Sequence, residues 1–427
     1  MKKNEKRKLW KQGLGTALVC GLAVAVFPAA KADAADLLKA GPINTTAEHV
    51  TQNQPFAEGT AGSQYFRIPA FIVTQKGNLL AAADARYSTT GDGGGLDTIA
   101  SVSTDNGKTW NYSFPLYFPD SDGYIGNTAT TIIDPALVQG KDGEIYCIAD
   151  VNPTGVTTMG GYKAPGEGTG YVKVNGKDYL AVTDNYDNVN TQPKDDDVTT
   201  YAYYVGDWDE NGYAKILKRS DHLETGYGVD KWYNLYKVEN GEYKDTLTQK
   251  QVNSNTDIQQ NIFYKGSALH VYNTGYMMYA KTYDDGFTWT DPEILNPQIK
   301  RPTKETALLV SPGQGVLTSD GTIVIPFYDH GDGEENASII WSDDNGKTWE
   351  RSNDVPGAAA GGYWSSESEV VELSDGTLRM FFRSGQGVVC YSDAVRNTSG
   401  DYVFTKPVKT GVSCTSTCNV TAINYSK

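Results

Sequence analysis

The sequence predicts an all-β chain in which four-stranded antiparallel units repeat around an axis, the β-propeller architecture. Three observations carry that prediction. One octet occurs three times, as Ser103-Thr104-Asp105-Asn106-Gly107-Lys108-Thr109-Trp110, Thr282-Tyr283-Asp284-Asp285-Gly286-Phe287-Thr288-Trp289 and Ser342-Asp343-Asp344-Asn345-Gly346-Lys347-Thr348-Trp349. All three fit [Ser/Thr]-x-Asp-x-Gly-x-Thr-Trp, and a recurring segment names an architecture before any single residue names a reaction. Each copy follows an apolar, β-rich run such as Tyr276-Met277-Met278-Tyr279-Ala280, so the octet reads as a turn at a strand end. Asp bonds nearby amides, Gly accepts φ > 0, and the Trp plugs the gap between neighbouring units. Finally, Asp-Gly pairs recur between apolar runs, at Asp142-Gly143, Asp320-Gly321 and Asp375-Gly376, and mark hairpins.

Taken in chain order, residues 1–34 read as a signal peptide. Lys2, Lys3, Lys6, Arg7, Lys8 and Lys11 form a basic n-region, residues 13–27 an apolar h-region, and Ala30-Lys31-Ala32 or Ala32-Asp33-Ala34 a cleavage site. The apolar stretch is short for a membrane span, so the expectation is a secreted or cell-surface protein with no span in the mature chain. Cleavage after Ala32 removes seven positive charges and one negative, taking the net charge from −15 to −21. A surface so acidic argues against nucleic acid and anionic membranes as partners. An anionic ligand therefore needs a local arginine cluster.

Residues 35–150 form the first part of the propeller. Within Tyr65-Phe66-Arg67-Ile68-Pro69-Ala70 an arginine interrupts an apolar strand, which is costly unless an anion or a partner meets it. A structural salt bridge is one reading, and a grip on a substrate carboxylate is the other. Ala83-Asp84-Ala85-Arg86 follows, then the loop Ser88-Thr89-Thr90-Gly91-Asp92-Gly93-Gly94-Gly95, whose single Asp suits an acid at a pocket mouth.

Residues 151–270 break the rhythm and read as an inserted β-rich domain, dense in Tyr, Asp, Gly and Asn. It either elaborates the scaffold or borders a cleft. Residues 271–427 resume the propeller. Cys147 and Cys390 lie in apolar strands and read as core, while Cys414 and Cys418 either pair or remain thiols. The four histidines, at 49, 222, 270 and 330, have no metal-like spacing.

The Phe-Arg-Ile-Pro motif, then Asp-x-Arg, then the three octets in this order resemble the bacterial exo-α-sialidases (neuraminidases), from about Tyr65 onward. That resemblance implies a six-bladed propeller and cleavage of terminal sialic acid from glycoproteins, glycolipids and oligosaccharides by a monomer without a cofactor. It implies Asp92 as general acid/base and Glu367, in Trp364-Ser365-Ser366-Glu367, as the carboxylate that activates the nucleophile. It implies Arg67 and Arg383 as ligands of the sialic acid carboxylate. Ile68, Arg86, Ile133 and Asp134 are then expected to line the pocket.

Sialic acid carries a carboxylate beside its anomeric carbon, and bidentate arginine pairs hold such a group in geometry as well as charge. A carboxylate nucleophile would face the substrate's own charge, and sialidases use tyrosine instead. Family members carry a third arginine and this tyrosine downstream of the position of Arg383. Only 44 residues follow Arg383 here; Arg396 is the one arginine among them, and Tyr391, Tyr402 and Tyr425 match no nucleophile segment. The sequence thus predicts a C-terminally truncated propeller with little or no turnover. A non-catalytic sialic-acid-binding propeller and an intramolecular trans-sialidase are the alternatives. A glycosidase for neutral polysaccharide has no use for Phe-Arg-Ile-Pro.

Overall fold

A computed structural model describes residues 37–120, 129–154, 166–250, 256–302, 305–331, 333–357, 364–414 and 419–424. The expected signal peptide, Cys418 and Tyr425 lie outside them. The chain is nearly all β. Its longest α-helix among the described residues is the single turn Asn296–Ile299, and no helix there is long and apolar enough to cross a membrane.

Four antiparallel four-stranded blades follow one another. Blade one holds Tyr65–Val73, Leu79–Arg86, Leu96–Ser103 and Thr109–Leu116. Blade two holds Thr131–Gln139, Ile145–Asn152, Tyr276–Thr282 and Glu293–Ile294. Blade three holds Glu305–Val310, Ile323–Gly331, Glu334–Ser342 and Glu350–Arg351. Blade four holds Ser365–Glu372, Leu378–Ser384, Val388–Arg396 and Tyr402–Phe404. Six blades are two more than the described residues build.

Between the second and third strands of blade two, the chain makes a separate eight-stranded antiparallel sheet from Tyr171 to Val271. It includes His270–Val271, paired to Val182–Thr183, so blade two resumes only at Tyr276. The insert is not detached. Ile216, Val229 and Trp232 share one apolar cluster with Leu116, Val151 and Met278 of the blades. Cys147 and Cys390 are both fully buried in blade strands.

Each octet closes the turn between the third and fourth strands of its blade. In blade two the Asp284 carboxylate accepts from Thr282 Oγ1 at 2.8 Å, Thr288 N at 2.8 Å and Thr288 Oγ1 at 2.6 Å. Two successive left-handed residues make the bend, Asp285 (φ 63°) and Gly286 (φ 104°). The turn then clasps the preceding blade. Trp289 Nε1 donates to Ser113 Oγ at 2.8 Å, and Ser113 Oγ donates back to the Gly286 carbonyl at 2.8 Å. Blade three repeats the device on blade two, where Tyr146 Oη donates to the Asn345 carbonyl at 3.0 Å and meets the Trp349 ring edge-on.

Candidate active site

The inner strands are interrupted where the site forms. In blade one the pairing shifts between Arg67 and Ala70, with Ile68 at φ 56°. In blade two it shifts between Ile133 and Ala136, with Asp134 at φ 62°. Both interruptions have one form, a left-handed residue followed by Pro and Ala (Ile68-Pro69-Ala70 and Asp134-Pro135-Ala136). In blade four the pairing shifts between Ser365 and Ser368, around Glu367. A bulge re-aims a side chain that the pleat would otherwise send into the sheet. A β-branched residue such as Ile68 at positive φ carries strain of the kind that gathers at functional sites.

Asp92, on the glycine-rich loop, is held from two directions. Arg67 Nη1 donates to its Oδ1 at 3.0 Å and Arg86 Nη1 to the same oxygen at 2.8 Å. The loop is tied to blade two, since Gly94 N donates to Thr131 Oγ1 at 3.2 Å and Thr131 Oγ1 to the Gly94 carbonyl at 2.8 Å. Arg67 is 43% exposed and Asp92 35%, so this pair faces solvent. The side-chain hydrogen bonds of Arg67 to described residues leave from Nη1.

Arg86 is different. Its side chain is fully buried, and Nε, Nη1 and Nη2 all donate. Nη1 serves the carbonyls of Thr90 at 2.8 Å and Gly91 at 2.6 Å besides Asp92. Nε and Nη2 both reach Asp84 Oδ2, at 3.2 and 2.6 Å. Arg86, expected beside the ligand, also shapes the loop that carries Asp92.

In blade four, Arg383 Nη1 donates to Glu367 Oε2 at 2.6 Å, with its guanidinium 5.8 Å from the Trp364 ring centroid. Burial alone lowers the Arg383 pKa, but the bond to Glu367 and the charges of Glu367 and Glu335 outweigh it, and the net shift is upward. The two half-sites share one field. The Asp134 carboxyl is pushed well above the usual range, first by burial, then by the charges of Asp84 and Glu367, with a smaller push from Asp92. Burial likewise raises Asp84 to about 6 against the opposing pull of Arg86. Ile133, beside Asp134, is buried at 2% exposure.

Arg67 and Arg86 thus meet at Asp92, Arg383 meets Glu367, and Asp134 feels the charges of Glu367, Arg86 and Asp92. Asp84 entered the sequence reading only as part of Asp-x-Arg, with no role of its own. Its signal was legible as a second charge two residues before Arg86 on the same face of an otherwise alanine-rich strand. Trp364 lay in a quoted segment without a role, and it packs beside Arg383.

A family model described as a BNR repeat-like domain matches residues 68–398. The anhydrosialidase of Macrobdella decora is 29% identical over 92% of this chain and 51% of its own length. Sialidase B of Streptococcus pneumoniae is 29% identical over 75% of this chain and 46% of its own. The chain spans about half the length of these curated relatives. The intramolecular trans-sialidase of Ruminococcus gnavus, solved with oseltamivir carboxylate, superposes with a TM-score of 0.69 at 29% identity, covering 84% of this chain and 73% of that one. The leech intramolecular trans-sialidase, solved with 2,7-anhydro-Neu5Ac, gives 0.70 at 26%, covering 85% and 54%. The chain belongs to the BNR repeat-like domain family, and in sequence and fold it is similar to sialidases.

Proposed function

We propose that this pocket binds the terminal sialic acid of glycoproteins, glycolipids or oligosaccharides and that the protein is an exo-α-sialidase acting with retention of configuration. One observation carries the reading. In a strongly acidic chain, two arginines on separate blades, Arg67 and Arg383, each stand paired to a carboxylate, Asp92 and Glu367. Arg67 and Arg383 take the ligand carboxylate, each charged hydrogen bond contributing roughly 1.5–3 kcal/mol. Asp92 protonates the leaving oxygen, Glu367 serves the nucleophile as base, and Ile68, Arg86, Ile133 and Asp134 line the pocket. No tyrosine hydroxyl among the described residues hydrogen-bonds Glu367, and the nucleophile stays unassigned. No cofactor enters the scheme. The insert of residues 151–270 is read as an elaboration of blade two, and the basic, apolar start of the chain as an export signal that makes the protein secreted or surface-bound.

A second product is favoured by the relatives. Two of the solved structures are intramolecular trans-sialidases, one of them with 2,7-anhydro-Neu5Ac bound. In this subtype the sugar's own hydroxyl replaces water as acceptor. Incubation with an aryl α-sialoside, followed by proton NMR of the products, tests both. Free sialic acid supports hydrolysis, and an anhydro sugar supports the intramolecular route. Saturable binding without leaving-group release supports a non-catalytic propeller, and neither binding nor release overturns the sialoside reading.

A further inference from the structure

We propose that Asp84 is the positioning residue of this pocket, a single buried carboxylate that fixes the loop bearing Asp92 and the blade-two wall at Asp134 relative to each other. The inference rests on the sialoside reading and deepens it.

Asp84 lies in the second strand of blade one, opposite Arg67 on one side and Thr98 on the other, and has no exposed surface. An isolated carboxylate there is costly, so its partners define its purpose. Both oxygens are committed. Oδ2 accepts from Arg86 Nε at 3.2 Å and Nη2 at 2.6 Å. Oδ1 accepts from the backbone N–H of Asp134 at 2.9 Å, across 50 residues and into the next blade.

Each bond controls a different part of the site. With Nε and Nη2 fixed, the Arg86 guanidinium plane is set, and its Nη1 can reach the Thr90 and Gly91 carbonyls and Asp92 Oδ1 together. The carboxylate of Asp92 is thus placed through Arg86. The bond to Asp134 N–H holds a residue at φ 62°, a conformation that surrounding contacts must impose. Asp134 in this turn feels the charges of Asp84, Glu367 and Asp92. Asp84 and Arg86 are two residues apart on one face of the strand, so the arginine can fold back on the carboxylate. Asp84 touches no ligand in this scheme and acts through Arg86 and the Asp134 backbone.

The test uses the full chain, with binding of 3′-sialyllactose measured by calorimetry alongside the thermal midpoint, for wild type, Asp84→Asn, and Asp84→Asn combined with Arg86→Gln. Removing one partner of a buried ion pair leaves an uncompensated charge, whereas removing both relieves it. Asp84→Asn is expected to bind at least tenfold more weakly. The double variant is expected to regain the midpoint without regaining affinity, because the charge is balanced but the Asp92 loop is no longer held and the Asp134 turn keeps only a neutral acceptor. Where Asp84→Asn alone fails to fold, the double variant carries the test. Binding by Asp84→Asn within twofold of wild type, or affinity that returns with the midpoint in the double variant, overturns the positioning role alone. A wild-type chain that binds no 3′-sialyllactose overturns the sialoside reading and the positioning role with it.

Discussion

Arg67 Nη1 lies 3.0 Å from Asp92 Oδ1, in an ion pair of which both members face solvent. Such half-exposed pairs contribute little to stability, on the order of 0–1 kcal/mol. The pair is therefore easily opened, and an arriving carboxylate can take the guanidinium while Arg86 retains Asp92. In Arg67→Ala, affinity for 3′-sialyllactose is expected to fall roughly 10- to 100-fold, the loss of one charged hydrogen bond. The thermal midpoint should stay close to wild type. Calorimetry and a melting curve check both, and a large loss of midpoint would assign Arg67 to the fold instead.

Ile68 separates stability from function. It is held at φ 56°, a strained position for a β-branched side chain that Asn accepts far more readily. Ile68→Asn is expected to stabilise the fold by about 1 kcal/mol through relief of that strain, while weakening sialoside binding because the apolar wall is lost. Denaturant unfolding and a binding isotherm measure the two effects separately.

The octet turns make stability sensitive to acid. Burial tends to raise the Asp284 pKa, but hydrogen bonds from Thr288 and Thr282 outweigh it and hold the carboxyl below its usual value. A depressed carboxylate stabilises above its unfolded pKa, and that contribution is lost as pH falls through the folded value. Asp284→Asn should cost about 1–2 kcal/mol at pH 7 and noticeably less at pH 3. Equal losses at the two pH values would remove the charge from the explanation.

Glu369 predicts the opposite slope. It is buried in the inner strand of blade four at 1% exposure, and burial pushes its pKa up to about 9 despite a hydrogen bond from the Gln314 backbone. A raised carboxyl favours folding below its unfolded value, near 4.5, and that advantage disappears as pH rises through about 9. Glu369→Gln should therefore melt higher than wild type at pH 8, by on the order of 1–3 kcal/mol of stability, and match it at pH 4. Parallel melting curves across that range would show that Glu369 does not titrate as its burial implies.

The sequence by itself determined the all-β repeat and the turns that terminate it, because those turns are closed locally. Ser103, Asp105, Gly107, Thr109 and Trp110 satisfy one another within eight residues, so a short motif contains its own physics. It also picked out Arg67, where charge interrupts an apolar strand, whereas Glu367 and Arg383 were reached only through the resemblance to a family. Only the tertiary structure decided that Arg86 is wholly enclosed by protein and that Asp84 reaches across to Asp134. It also decided that the insert shares its core with the blades and that three inner strands break their pairing around the site. Each of those depends on a contact between segments distant in sequence, and a long-range hydrogen bond leaves no periodicity or spacing from which it can be read. Residues 84 and 134 have nothing local in common, and they meet because two blades pack side by side and one buried carboxylate must find its donors there.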